Sequence, residues 1–272
     1  MRGILAGAAS CLAVSAVWAH SGTETATPAP TSREFEGALG LVLNRAPAFP
    51  GANVSAPAPE LAGFVRWGRI TLSGAGGFTT RRSDEVDRGL GAQWISRGDL
   101  RLSVGLRLDR GRMQSASPAL AGMGDIPLTV RARMTARWTP RPDWQLAVGV
   151  AGDPFKRAGG MTAEASLQHD WTLGTGQHLL LGVGISAANA SYMQTWHGVS
   201  FAQSQRSGYA QYTPGGGLRG ASVSVTYRHE FDNRWAAYAS ISPSRILGPA
   251  ARSPLTGQTV LAAWQLGVAR RF

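Results

Sequence analysis

Alternation with a period of two dominates the chain. Leu128, Val130, Ala132, Met134, Ala136 and Trp138 alternate with Thr129, Arg131, Arg133, Thr135 and Arg137, so an extended segment here has one apolar and one cationic face. Ala163, Ala165, Leu167, His169, Trp171 and Leu173 stand in the same way against Thr162, Glu164, Ser166, Gln168, Asp170 and Thr172. Ala221, Val223, Val225, Tyr227, His229 and Phe231 do so against Ser222, Ser224, Thr226, Arg228 and Glu230. Segments 35–44, 100–109, 144–150 and 179–187 repeat the dyad less cleanly. Runs of about ten residues suit a tilted membrane strand. A soluble sandwich would also alternate, so period alone does not decide the solvent.

The connections discriminate better. Short turns fall at 67–69, 97–99, 139–143, 174–177 and 232–234, and longer Gly/Pro/Ser-rich connections at 45–62, 80–87, 111–126, 152–160, 190–220 and 244–258. Short and long alternate throughout, as short periplasmic turns and longer extracellular loops do in membrane barrels. This predicts an all-β fold, a transmembrane antiparallel up-and-down β-barrel of about twelve strands with both termini on the periplasmic side. Within 62–78 the apolar parity slips between Trp67 and Ile70. A turn there keeps the strand count even; a bulge in one long strand would break it. Past the first residues no apolar run is long enough for a spanning helix, which leaves the closed sheet as the way to satisfy every backbone group in lipid.

Composition agrees with that solvent. Only 16% of the 272 residues are charged, while Gly 35 and Trp 9 are high for a soluble domain. Arg2, the apolar stretch 4–17 and the small-residue site at Val17, Trp18 and Ala19 read as a signal peptide over 1–19, too short to span as a helix. A short Pro/Thr-rich periplasmic leader at 20–33 and a barrel at 34–272 would follow. Cys11, the only cysteine, lies in the signal, so the mature chain would have no disulfide or thiolate metal site. A lipoprotein reading of Ala9, Ser10 and Cys11 competes weakly, because Ala8 stands where a larger aliphatic residue is expected.

The net charge of +11 is nearly all arginine, Lys156 being the only lysine. Nucleic acid is the usual target of such charge, but an exported barrel does not meet it. Arg101, Arg107, Arg131, Arg133, Arg137, Arg228 and Arg271 fall on inward positions and would line an anion path. The plainer reading pairs them with Glu36, Asp109, Glu164, Asp170 and Glu230 to fill the barrel. Twelve strands lie between filled and open barrels, and a filled or loop-occluded lumen is favoured because unpaired charges in a narrow dry space are costly. Loop arginines Arg81, Arg82, Arg110 and Arg112 are candidates for lipopolysaccharide phosphates. Trp67, Trp138, Trp144, Trp171 and Trp235 sit beside short turns, where a periplasmic aromatic girdle belongs. His169 and His229 fall on lipid-facing positions near strand ends. Histidines at 20, 169, 178, 197 and 229 show no metal-ligand spacing, and no cofactor is expected. His197, Ser200 and Asn189 share a segment without the pattern of a catalytic triad. Long connections bind, cover or plug, which makes 190–220, with Tyr192, Met193, Trp196, His197 and Tyr212, the candidate partner or plug loop. It is expected outside the cell unless it folds inward.

Specific residues carry a family resemblance. Tyr192, Met193 and Gln194, then Gly198 and Val199, Ser207 and Gly208, Tyr212, Pro214 and Gly215, Gly216, Gly217 and Leu218 resemble the MltA-interacting protein (MipA/OmpV) family. So do Ser242, Pro243, Ser244, Arg245, Ile246, Leu247 and Gly248, followed by Ser253, Pro254 and Leu255. The resemblance is strongest from about 192 to 272, and 120–127 resembles the family's middle loop. Pro249 and Ala250, where an acidic loop is usual, depart from it. The resemblance implies an outer-membrane scaffold that brings a murein-degrading lytic transglycosylase and a murein synthase together without catalysis of its own. A channel or uptake protein for small anionic or amphipathic solutes is the alternative, and a lipid-modifying barrel enzyme a distant third. Phe272, ending the apolar face of the last strand, resembles the signal read by the outer-membrane insertion machinery. Arg270 departs from that signal and would snorkel to headgroups.

Overall fold

The computed structural model describes residues 35–47, 49, 51–52, 55–74, 87–157 and 159–272. The expected signal peptide and leader, with Arg81 and Arg82, lie outside the described residues. Twelve antiparallel strands close into a barrel. They are β1 (Phe35–Pro47), β2 (Ser55–Trp67), β3 (Ile70–Ser73), β4 (Gly89–Arg97), β5 (Leu100–Asp109), β6 (Thr129–Arg141), β7 (Trp144–Gly152), β8 (Met161–Gly174), β9 (Gln177–Ala188), β10 (Gly217–Glu230), β11 (Trp235–Ile246) and β12 (Val260–Arg271). The seam joins β1 to β12, and Gly37 and Phe272 exchange N–H to carbonyl bonds of 3.0 Å each way.

The dyad decides which face is wet. Leu39, Leu41, Leu106, Met134, Val148, Leu167, Val183, Val225 and Leu266 are exposed on the outside, an apolar belt suited to lipid. Trp67, Trp138, Trp171 and Trp235 are exposed beside short turns. Trp144 lies 4.5 Å from the His169 ring, which meets Trp171 edge-on at 4.2 Å. The parity slip after Trp67 is a turn, Gly68 with Arg69.

Three expectations need correction. The connection expected over 45–62 is mostly strand, β1 running through Pro47 and β2 starting at Ser55. Pro57 and Pro59 lie inside β2. The Gly63 carbonyl accepts from Gly74 N–H, so the odd-numbered residues of β2 direct their backbone groups away from β1. On that side β3 pairs only with 64–67, and a proline costs no ladder bond where no strand is paired among the described residues. The turn expected over 139–143 narrows to Pro142 and Asp143, because β6 continues through Pro140 past a register shift between Trp138 and Arg141. The lumen is not uniformly polar either. Ala38, Val42, Ala62, Phe64, Tyr238 and Ala269 form a buried apolar cluster on the inner wall of β1, β2, β11 and β12, filling that side with side chains.

Candidate functional site

β6 presents Thr129, Arg131, Arg133, Thr135 and Arg137 to the lumen, and carboxylates from other strands and loops meet them. Arg131 Nε donates to Asp109 Oδ2 at 2.7 Å, with both side chains largely buried. Arg137 donates to Asp87 Oδ1 at 2.9 Å, and the Thr135 hydroxyl donates to Asp87 Oδ2 at 3.3 Å. Arg133 reaches both Asp87 and Glu164 at 3.5 Å. Across the barrel, Arg228 lies 3.7 Å from Asp170 and 3.4 Å from Glu230, and His178 Nδ1 sits 3.0 Å from Asp170 Oδ1. Glu36 takes Arg66 and, at 3.5 Å, Arg271. Arg131, Arg133, Arg137, Arg228 and Arg271 are thus matched with the five carboxylates expected for them and with Asp87. Arg101 and Arg107 are exposed to the lumen and have no such partner among the described residues.

Asp87, Arg66 and Arg219 were missed. Asp87 is the last residue of the connection expected over 80–87, and Arg219 lies inside the one expected over 190–220. Arg66 shares its parity with Ala62 and Phe64, which was the signal available.

The connection between β9 and β10 folds inward and carries two helices, α1 (Ala190–His197) and α2 (Phe201–Ser207). Asn189 caps α1 by accepting from Tyr192 N–H at 3.0 Å. Ser200 and Gln203 form a capping box on α2, at 2.8 and 3.3 Å. Tyr192 and Met193 pack with Ala188, Ile246, Ala250 and Leu261, and Met193 is 0% exposed. The Tyr192 ring lies under two guanidinium groups, Arg131 at 5.0 Å and Arg219 at 5.4 Å, and its hydroxyl accepts from Arg219 at 3.0 Å. These cation–π contacts fasten the plug to the lumen charges.

Neighbouring loops lock the plug. Arg112 donates to the Trp196 carbonyl at 3.0 Å, Ser253 to the His197 carbonyl at 2.6 Å, Gln203 to the Met123 carbonyl at 2.7 Å, and the Tyr212 hydroxyl to the Pro249 carbonyl at 2.7 Å. Gly160, at φ 75°, lets the 153–160 loop approach so closely that a Cβ would stand 2.2 Å from Tyr192 N. Arg112 is buried in this contact, which corrects its expected role at lipopolysaccharide; Arg110 is exposed.

His197 closes the lumen from above. It is 1% exposed, its Nε2 has no hydrogen-bond partner among the described residues, and it lines a cavity of about 590 Å³ with Arg133, Arg137, Glu164, Arg219 and Ser222. Burial first, then the charges of Arg219 and Arg112, push its pKa down to about 4. Ser200 serves as a helix cap. Among the described residues no three histidine, cysteine, aspartate or glutamate side chains gather to hold a metal.

The family model described as MltA-interacting protein MipA matches residues 39–272. No curated protein matches the chain. Among solved structures, the chain is similar to outer-membrane expressed OmpT of Vibrio cholerae at 11% identity, covering 88% of this chain and 97% of that one with a TM-score of 0.40. It is also similar to the KdgM porin at 8% identity, covering 86% and 99% with a TM-score of 0.41.

Proposed function

Since the chain belongs to the MltA-interacting protein MipA family, we propose that it is a non-catalytic outer-membrane scaffold that brings a murein-degrading lytic transglycosylase and a murein synthase together. The observation that carries this reading is the plug. α1 is wedged into the barrel mouth by Met193, Tyr192 and His197, and a barrel whose mouth is filled by its own chain suits holding partners better than passing solutes.

The partner surface in this reading is the end bearing the short turns, at Gly68 and Arg69, Gly98 and Asp99, Pro142 and Asp143, and 232–234. The same reading has 1–19 removed as a signal peptide, 20–33 left as a periplasmic leader, Arg110 facing lipopolysaccharide, and Phe272 presented to the insertion machinery. Crosslinking from these turns in intact envelopes, with mass-spectrometric identification of partners, tests it. Recovery of a transglycosylase and a synthase is expected; their absence beside a solute-dependent conductance overturns it.

A further inference from the structure

The wall carried by β5 and β6 holds more positive charge than the described residues balance. Antiparallel register sets Arg101 directly opposite Arg137 and Arg107 directly opposite Arg131, and like charges facing each other across a ladder work against pairing. Each pair is only half compensated. Asp87 takes Arg137 and Asp109 takes Arg131, while among the described residues Arg101 and Arg107 have neither a hydrogen-bond nor an ion-pair partner. A side chain that merely fills a lumen is balanced, as Arg228 is by Asp170 and Glu230.

Between the two arginine pairs the wall is shaped to receive something. Arg133 faces Gly105, which has no side chain to cover it, and Ser103 faces Thr135. These residues line a chamber of about 330 Å³ that reaches the Gly68 and Arg69 turn. At roughly 3.3 Å per residue, Arg101 and Arg107 lie about 20 Å apart along β5. One small anion would meet one arginine pair; a chain with charges at intervals would meet both.

We propose that the β5–β6 wall binds an elongated polyanion bearing repeated carboxylate or phosphate groups, admitted from the short-turn end and stopped beneath the plug. This goes beyond the scaffold reading and does not depend on it. Guanidinium groups grip such oxyanions two donors at a time, and the low-dielectric wall concentrates their field.

The test is calorimetric titration of the refolded full chain in detergent with inorganic polyphosphate and with oligoglutamate, each long enough to span both pairs. Orthophosphate and N-acetylglutamine, each with one anionic group, serve as the controls. At low salt one oligomer or both should bind at least about tenfold tighter than its control, and the double substitution Arg101→Ser with Arg107→Ser should weaken that binding by roughly tenfold or more. Arg157→Ser, at an exposed position outside the chamber lining, should leave it unchanged. Which oligomer binds tells phosphate from carboxylate. Both substitutions relieve like-charge repulsion, so the variant should melt no lower than the native barrel, which separates lost binding from lost folding. Absence of binding by both oligomers, no preference over the controls, or undiminished binding by the double variant overturns the proposal.

Discussion

His197 ties the plug to pH. A histidine whose folded pKa is depressed to about 4 from an ordinary 6.5 is held neutral by the fold. Its contribution is therefore complete above about pH 6.5 and lost as pH falls toward 4, since the undocked state binds the proton more readily. Full protonation would cost on the order of 3 kcal/mol, with Arg112 and Arg219 already positive beside it. Proteolysis within 198–216 should accelerate between pH 6.5 and 4, and His197→Gln should flatten that profile; equal cleavage at both ends of the range contradicts this account. Met193, fully buried, should cost about 2–5 kcal/mol of plug docking when cut to alanine, read as faster hydrogen exchange in α1 while the strands stay protected. The sequence showed a mixed apolar and polar run at Tyr192, Met193, Trp196 and His197. It did not show their burial, because the groups that bury them, Ile246, Leu261, Arg112 and Ser253, come from distant segments.

Strands were the legible elements, because alternation and turn chemistry are local. The turn at Gly68 falls where the dyad changes phase, and those at Gly98 and Gly176 carry a glycine in the left-handed region. Boundaries are less legible around proline, at Pro57 and Pro59 in β2 and Pro140 in β6, since what a proline does depends on whether a partner strand needs its N–H. The inner apolar cluster was missed for a related reason: Val42, Phe64 and Tyr238 sit at inward parity among alanines and glycines, and the arginine strands set the expectation for the whole lumen. At this scale Gly160 is the joint between its loop and α1. Gly160→Val adds a Cβ where 2.2 Å is available and a branched side chain to a left-handed backbone, so the 153–160 loop should separate from α1. Disulfide trapping between cysteines placed in the two segments should succeed in the native background and fail in the variant.

The barrel is filled unequally: apolar packing along β1, β2, β11 and β12, arginines along β5 and β6, and α1 across one end. Planar bilayers should accordingly show little steady conductance from the native barrel and a persistent anion-preferring one when 190–215 is replaced by a short Gly/Ser turn. A cation preference in that deletion would contradict the charge assigned to the wall. At the seam, the reciprocal bonds between Gly37 and Phe272 help hold β12 against β1, so the first strand and the twelfth mask each other's edges. A barrel stripped of β12 would expose an unmated row of N–H and carbonyl groups on β1, a ready template for pairing with a second copy.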